Sequence, residues 1–294
     1  MSQIKLQELS QEGKVDLLKR LEKLGSQNLK NDLYSTLLSS LKSKDKQNKE
    51  FLTRYLLLVA ILDQQAESTS ARQTVIKIYE KYGNEFFMKP ENFLGKIKEV
   101  LTLAREVYNP KSRVIRMRKE GIIMLRIGGY MLALVNLINK HGTLVDYFKS
   151  FGNPENLLKA LLNDVLIGGL FFEKALRMYI GWISHPNLYV NIFDGKIQVD
   201  TIPMVVDGHV CKVMARTGFL SSVKVEKDKP IVTAESERKK IENLVRKYYP
   251  RGDYFMIDYG AFYVGINFCK EDEPRCNECP IAEYCMRNTY VRAY

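Results

Sequence analysis

The chain has 294 residues and a mass of 34.0 kDa, which is enough for about two domains of roughly 150 residues each. Hydrophobic residues make up 46% and charged residues 27%, as in a soluble globular protein with a substantial core. An excess of 45 Lys+Arg over 34 Asp+Glu gives a net charge of +11 and favours a polyanionic partner, nucleic acid before membrane. A generally lysine-rich surface would give the same charge.

No targeting or membrane-spanning segment is visible in the sequence. The first 14 residues are polar and lack the apolar core of a signal peptide. The most apolar stretch, Ile122 to Ile138, is interrupted by Arg126 and Asn136 and falls short of the roughly 20 apolar residues that a span requires. We therefore expect an intracellular protein without membrane contact, whose cysteines are reduced or metal-bound.

Apolar spacing predicts helices along the chain as far as about Met178. The first 50 residues are lysine-rich and helical, except that Leu41 to Glu50 is predicted to be a solvated linker. A compact bundle of short helices is expected from Phe51 onward. Its predicted members lie around Leu57–Ile61, Val75–Tyr82, Phe93–Tyr108, Ile122–Lys140 and Leu157–Val165.

The pattern changes after the bundle. Residues Leu188 to Val206 alternate apolar and polar around Asp194-Gly195, which predicts a β-hairpin. A helix is predicted from Asp207 to about Gly218, and a charged helix from about Glu235 to Tyr249.

Four of the five cysteines fall close together near the C-terminus, in the spacing C-x6-C-x2-C-x5-C: Cys269, Cys276, Cys279 and Cys285. Thiolates on short loops can surround one compact metal centre, and soft sulfur ligands select zinc or an iron–sulfur cluster. The spacing alone leaves both open. Cys211 stands apart and is predicted to be a buried small hydrophobic residue.

The run FCKEDEPRCNECPIAEYC resembles the cluster loop of endonuclease III and the related adenine glycosylases, which belong to the helix-hairpin-helix DNA glycosylase superfamily. Every gap between the cysteines matches that family. The resemblance implies a [4Fe–4S] cluster bound by the four cysteines, with a structural rather than a chemical role.

Two further blocks resemble the same family in the expected order. The first, LVAILDQQAESTSARQTVIKIY, is similar to the helix pair whose glutamine enters the base stack, and Gln65 matches that glutamine. The second, VVDGHVCKVMARTGF, is similar to the segment that carries the catalytic aspartate, and Asp207 falls on that position. The match also implies DNA-binding roles for His209 and Lys212. From the residues alone, an aspartate at this position before a helix is more often an N-cap.

A third block, VLIGGLFFEKALRM, is similar to the family's DNA-binding hairpin, although the proline and the second spaced glycine are missing. The match places Gly168 and Gly169 at the backbone that binds a DNA phosphate, and Lys174 at the amine that attacks the sugar to form a Schiff base. Lys174 could also be a surface lysine on an amphipathic helix.

The sequence therefore predicts an all-α fold of two helical domains with a small β-hairpin insertion. Residues 51–200 would form the bundle with the helix-hairpin-helix, and residues 1–50 with 201–294 the cluster domain. The expected function is a DNA glycosylase of base excision repair with associated AP-lyase activity. Its expected partner is double-stranded DNA with a lesion, mismatch or abasic site, bound by a monomer. A monofunctional glycosylase and a non-catalytic DNA-binding or damage-sensing protein remain alternatives.

Overall fold

A computed structural model describes residues 3–64, 66–110, 117–226 and 229–293 of the chain. It is mostly helical with one small sheet, so the predicted fold class is confirmed at that level. The chain divides into two compact units, one of residues Asp32–Ile197 and one of Met1–Asn31 with Gln198–Tyr294. The predicted boundaries lay at residues 50 and 200, so residues 32–50 belong to the bundle unit.

The regular elements are as follows in chain order. The helices are α1 (Gln11–Leu33), α2 (Ser43–Lys46), α3 (Lys49–Asp63), α4 (Ser68–Tyr82), α5 (Glu85–Met88), α6 (Ile97–Val107), α7 (Lys119–His141), α8 (Leu144–Lys149), α9 (Pro154–Asn163), α10 (Val165–Leu170), α11 (Glu173–Ser184), α12 (Gly208–Arg216), α13 (Ala234–Tyr248) and α14 (Tyr254–Asn267). The strands are β1 (Gln3–Lys5), β2 (Ser222–Glu226), β3 (Lys229–Val232) and β4 (Arg292–Ala293).

Helix α3 is the centre of the bundle unit. It begins where the Asn48 side chain accepts a hydrogen bond from the Phe51 amide at 3.0 Å, which satisfies one of the free donors of the first turn. From Phe51 to Leu62 every residue is buried, so other parts of the unit enclose this helix on all sides.

Helix α7 is long and apolar enough to span a membrane by length and composition alone. Within the bundle unit one face of this helix is buried, while Met124, Leu125 and Leu132 are exposed. Tyr130, Leu134 and Leu137 are buried, and the Tyr130 hydroxyl donates to the Arg54 carbonyl at 2.9 Å. A π-helical turn at Met124–Gly128 interrupts the regular hydrogen bonding. Such turns widen the helix by one residue and are common at functional sites.

The linker predicted at Leu41 to Glu50 is wrong. Asp45, on α2, is only 3% exposed, and its carboxylate accepts hydrogen bonds from Tyr79 at 2.6 Å and Asn84 at 2.9 Å. The stretch has no apolar periodicity because a polar contact, not an apolar face, holds it against α4.

The hairpin predicted at Leu188 to Val206 is also wrong. The turn itself forms, since Asp194 and Gly195 both adopt positive φ, but no strand follows it in these described residues. Instead the segment crosses the boundary between the units at residues 197 and 198. Its two halves join different cores, with Val190 and Ile192 buried on one side and Ile202 and Met204 on the other, and so they do not pair.

The sheet lies in the other unit, in the order β1-β2-β3-β4. Strands β1 and β2 pair antiparallel, as do β2 and β3, and β4 runs parallel to β3. Ile4 faces Val223 across the first pair, and Ile231 faces Arg292 across the last. The sheet therefore joins the two chain termini to one β-hairpin, which the alternation of Val223, Val225 and Ile231 could have indicated.

Helices α1 and α14 cross very closely in this unit. A Cβ on Gly25 would lie 1.9 Å from the Met256 carbonyl oxygen, and one on Gly260 would lie 2.0 Å from that of Leu21. Only glycine allows two helix backbones to approach so far. The N-terminal helix, which the family match did not cover, is thus part of the core around α14.

Candidate functional site

The four clustered cysteines line one pocket at the C-terminal end of α14. Cys269 follows α14, while Cys279 and Cys285 each follow a 3-10 turn, Cys276–Glu278 and Ala282–Tyr284. Helix α12 contributes two of the residues that line this pocket, and several of the other lining residues are apolar. The lining residues are Val213, Arg216, Thr217, Val264, Phe268, Cys269, Pro274, Cys276, Cys279, Ile281, Ala282, Cys285, Arg287 and Thr289.

Burial dominates the electrostatics of the thiols. It raises the pKa of Cys279 to about 11 and also raises the pKa of Cys269 and of Cys285. Repulsion from neighbouring cysteines raises the pKa of each of these three thiols further, as expected for sulfur atoms that line one pocket. Without a metal, burial keeps the thiols of Cys269, Cys279 and Cys285 protonated at neutral pH. A bound metal ion or cluster would displace the protons.

Several donors point at the sulfur atoms. The buried Arg216 guanidinium lies 3.6 Å from Cys269 Sγ, and the Arg287 amide donates to Cys285 Sγ at 3.4 Å. A backbone hydrogen bond from Ile281 lowers the pKa of Cys279 against the effect of burial. Such contacts stabilise the negative charge of a thiolate-bound cluster.

Four thiols are a donor set that suits both a zinc ion and an iron–sulfur cluster. Within the described ranges, no group of three or more His, Cys, Asp and Glu side chains is placed to hold a metal ion. A mononuclear zinc site needs four sulfurs about 2.3 Å from one point. The choice of a cluster over zinc therefore rests on the resemblance of the cysteine spacing.

Glu271 joins the cysteine loop to the rest of its unit. Its carboxylate lies 3.0 Å from Arg216 and 3.4 Å from Lys212, two cations on α12 that are 1% and 3% exposed in their side chains. Arg292 on β4 also pairs with Glu271, at 3.5 Å. The acidity of the loop therefore serves internal ion pairs, which sequence reasoning had missed because the partners lie far along the chain.

Asp207 is the N-cap of α12. It is 7% exposed, and its carboxylate accepts from the Val210 amide at 3.0 Å. The helix that begins at Asp207 ends with Arg216 beside Cys269. The carboxylate and the cysteine pocket are thus the two ends of one nine-residue helix.

Lys212, predicted to bind DNA, is buried in this unit. Its side chain is 3% exposed, and its ammonium faces the Glu271 carboxylate at 3.4 Å. His209 is half-buried and packs edge-on against Phe262, with ring centroids 5.7 Å apart. A Cβ on Gly265 would lie 2.8 Å from His209 Cβ, so this glycine lets α14 pass close to the histidine.

Gly168 and Gly169, predicted to bind a DNA phosphate, lie inside α10 rather than in a turn. The Gly168 amide donates to the Asp164 carbonyl at 2.8 Å. A Cβ on Gly168 would lie 2.6 Å from the Leu162 carbonyl oxygen. This glycine therefore serves the packing of α10 against the end of α9. The turn that follows is Phe171-Phe172.

Lys174 lies in the first turn of α11 and is exposed. Residues of its own unit therefore do not bury its amine. Its neighbour Glu173 pairs with Arg177 at 2.8 Å along the same helix.

Gln65, predicted to enter the base stack, lies outside the described residues. The adjacent Gln64 is buried, and its side chain binds the Phe171-Phe172 turn, a role that the sequence did not indicate. Arg126 is 7% exposed and donates to the Leu62 carbonyl at 3.2 Å and to the Gln64 carbonyl. Its guanidinium is therefore engaged by the backbone at the end of α3.

No protein-family model matches the chain, and no curated protein is similar to it in sequence.

Proposed function

We propose that the chain is a [4Fe–4S] DNA glycosylase of base excision repair, acting as an intracellular monomer on duplex DNA with a lesion, mismatch or abasic site. One observation carries the proposal: a single helix begins at the buried carboxylate of Asp207 and ends at a pocket lined by four cysteines. The cysteine spacing and the block around Asp207 resemble the same family, so the geometry and the motifs support one reading.

Asp207 would supply the chemistry of base excision. Breaking the bond between base and deoxyribose turns the sugar cationic, and a carboxylate in a low-dielectric setting stabilises that charge. The base must first leave the helical stack, which costs least at a damaged or unpaired nucleotide. Gln65 is the residue we propose to fill the space that the base leaves.

The four cysteines would hold the cluster, and Arg216 would donate to one of its sulfur ligands. When bound, the cluster ties the loop from Cys269 to Cys285 into one rigid body. The protein's own residues then fix α12 from its C-terminal end, and with it the position of Asp207.

Lys174 would give the enzyme its AP-lyase activity, since a neutral amine that attacks the sugar forms a Schiff base and permits strand cleavage. The exposure of Lys174 in its unit favours a second candidate, a monofunctional glycosylase in which water attacks the sugar. Contact with DNA would have to desolvate the amine for the lyase reaction to proceed.

Metal analysis tests the cofactor. Protein prepared without oxygen should be brown and contain about four iron and four sulfide per chain, as a cubane cluster requires. Cys276→Ser should remove most of both. Cys211→Ala is the matched control, because this cysteine is buried away from the pocket, and it should keep the full content. Stoichiometric zinc without sulfide would contradict the proposal.

DNA binding tests the partner. With a net charge of +11, affinity should fall steeply with salt concentration and depend little on sequence, because binding releases counterions from the phosphates. Gln65→Ala should weaken binding to abasic duplex more than to intact duplex, since a wedge residue matters only where a base has left the stack. Equal losses on the two DNAs would reduce Gln65 to a turn residue.

A further inference from the structure

The side chain of Gln64, directly after α3, is buried and forms hydrogen bonds through both its amide nitrogen and its amide oxygen. Its Nε2 donates to the Ile61 carbonyl at 3.0 Å and to the Leu170 carbonyl at 2.9 Å, and its Oε1 accepts from the Phe172 amide at 2.5 Å. The side chain therefore holds the backbone on both sides of Phe171. No apolar residue of similar size could satisfy these groups.

Arg126 fixes Gln64 in turn. The last carbonyls of α3 have no partners within the helix, and the buried guanidinium supplies donors to those of Leu62 and Gln64. The Tyr108 hydroxyl donates to Leu62 as well, at 3.2 Å. Arg126 lies in the π-helical turn of α7, where the irregular backbone carries it to the end of α3.

Two of the three backbone groups that Gln64 binds, those of Leu170 and Phe172, lie just before α11, whose first turn carries Lys174. Phe172 is the N-cap residue of that helix, and its own side chain makes no capping hydrogen bond. The position where α11 begins is thus set by the Gln64 amide. Gln64 also directly precedes Gln65, so one residue connects the proposed wedge to the start of the helix that carries the proposed nucleophile.

We propose that Gln64 is a positioning residue, which locks the first turn of α11 and so the place of the Lys174 amine. The assignment rests on the proposed lyase function of Lys174. Arg126 supports this positioning role, because it binds the backbone carbonyl of Gln64 while the Gln64 side chain binds the backbone of Leu170 and Phe172.

The test compares Gln64→Leu and Gln64→Glu in the full chain with the control Gln73→Leu, which changes an exposed glutamine on α4. Hydrogen exchange of the Phe172 amide reports the clamp without any activity. Borohydride trapping on an abasic duplex at saturating protein reports the amine. Trp182, the chain's single tryptophan, lies on α11, and its fluorescence reports whether that helix remains packed.

In Gln64→Leu we expect exchange at Phe172 to rise and the trapping rate to fall, each by at least about tenfold for the loss of three hydrogen bonds. Affinity for the abasic duplex should stay within about twofold, because Gln64 does not reach the surface. Gln64→Glu keeps the acceptor for Phe172 but loses both donors, so it should retain protection at Phe172 better than Gln64→Leu. If Gln64→Leu fails to fold, Gln64→Glu carries the comparison.

Trapping that is unchanged while Phe172 exchanges freely would overturn the positioning role alone. Unchanged exchange in Gln64→Leu would overturn the clamp itself. A wild-type chain that never traps would overturn the lyase role of Lys174 and this assignment with it, and the exchange data would then show whether the clamp exists as a purely structural contact.

Discussion

At the scale of single residues, Glu271 pairs with two buried cations in the unit that contains the four clustered cysteines. Arg216 and Lys212 are almost fully buried, and Glu271 is the carboxylate that neutralises both. Removing one partner of a buried ion pair leaves an uncompensated charge, which costs about 3–5 kcal/mol when both partners are fully buried. Since Glu271 is itself 33% exposed, water screens part of this cost.

We therefore predict that Glu271→Gln lowers the free energy of unfolding by about 2 kcal/mol and reduces the iron content of the purified protein. Glu273→Gln is the matched control, because Glu273 is exposed on the same loop. Denaturant titration and iron analysis of the two variants make the comparison. Equal behaviour of the two would mean that the buried cations are satisfied without Glu271.

Asp194 gives a prediction about pH. Lys149 and Lys49 bind its two carboxylate oxygens at 2.6 Å and 2.7 Å, and these hydrogen bonds lower its pKa to about 2. A carboxyl group with a depressed pKa stabilises the fold above its ordinary value of 3.8, and this contribution is lost as the pH falls through about 2.

Asp194→Asn should accordingly lower the Tm slightly at pH 7 and by the same amount at pH 5, because both values lie above the titration range. The difference from the wild type should shrink as the pH falls below 3.8 towards 2. Thermal melts of both proteins across this range provide the measurement. A difference that grows on acidification would contradict the assigned ion pairs.

At the scale of elements, the crossing of α1 and α14 depends on two glycines. A methyl group on Gly260 would lie 2.0 Å from the Leu21 carbonyl oxygen, which is backbone and cannot rotate away. Gly260→Ala should therefore force the helices apart and destabilise the chain by at least about 1–3 kcal/mol, the usual cost of overpacking.

Gly169→Ala is the control of opposite sign. Gly169 lies within α10, and a Cβ there would meet nothing within 4 Å. Alanine should stabilise the chain by about 0.5–1 kcal/mol, because it restricts the unfolded backbone and favours helix. Denaturant titration measures both changes. A neutral Gly260→Ala would show that the two helices are not in such close contact.

Local sequence signals predicted the helices and turns well where contacts between residues close in sequence determine them. Asp207 caps the helix that the sequence placed after it, and Gly218 ends that region with a φ of 79°. The hairpin at Leu188 to Val206 failed because alternation cannot show that the two halves of a segment join different cores. The true hairpin, β2 with β3, has a similar pattern and no stronger local signal.

The site residues divide in the same way. Cysteine spacing predicted which thiols share a pocket, because all four lie on one short loop. The burial of Lys212 and Arg126 could not be predicted, because their partners, Glu271 and the end of α3, are remote in sequence. A lysine that matches a DNA-binding position in a motif is still a core residue when a distant carboxylate covers it.

At the scale of the whole molecule, the net charge of +11 includes an acidic cysteine loop. Three of the acidic residues of this loop form ion pairs within their own unit, since Arg292 binds Asp272 at 2.9 Å, Arg275 pairs with Glu278, and Arg216 pairs with Glu271. The DNA contact that we propose would therefore meet fewer unpaired carboxylates on this loop than its composition implies.

The remaining question is whether the intact chain excises a base. Asp207 and Lys174 belong to different units, so each residue is tested by its own substitution. Asp207→Asn separates charge from structure, because asparagine caps a helix as well as aspartate does. It should abolish excision, at least a hundredfold loss being typical for one charge-stabilising group, while the Tm and DNA affinity stay nearly unchanged. Asp207→Ala also loses the cap and should cost about 1 kcal/mol of stability.

Lys174→Gln should abolish borohydride trapping, because borohydride reduces a Schiff base but not an intermediate formed by water. A panel of lesion-bearing duplexes, read with and without alkali, distinguishes the possible outcomes. Trapping that requires Lys174 indicates a bifunctional lyase, and excision that requires Asp207 without trapping indicates a monofunctional glycosylase. If no lesion is excised and Asp207→Asn changes nothing, Asp207 is only a helix cap, and the chain binds damaged DNA without acting on it.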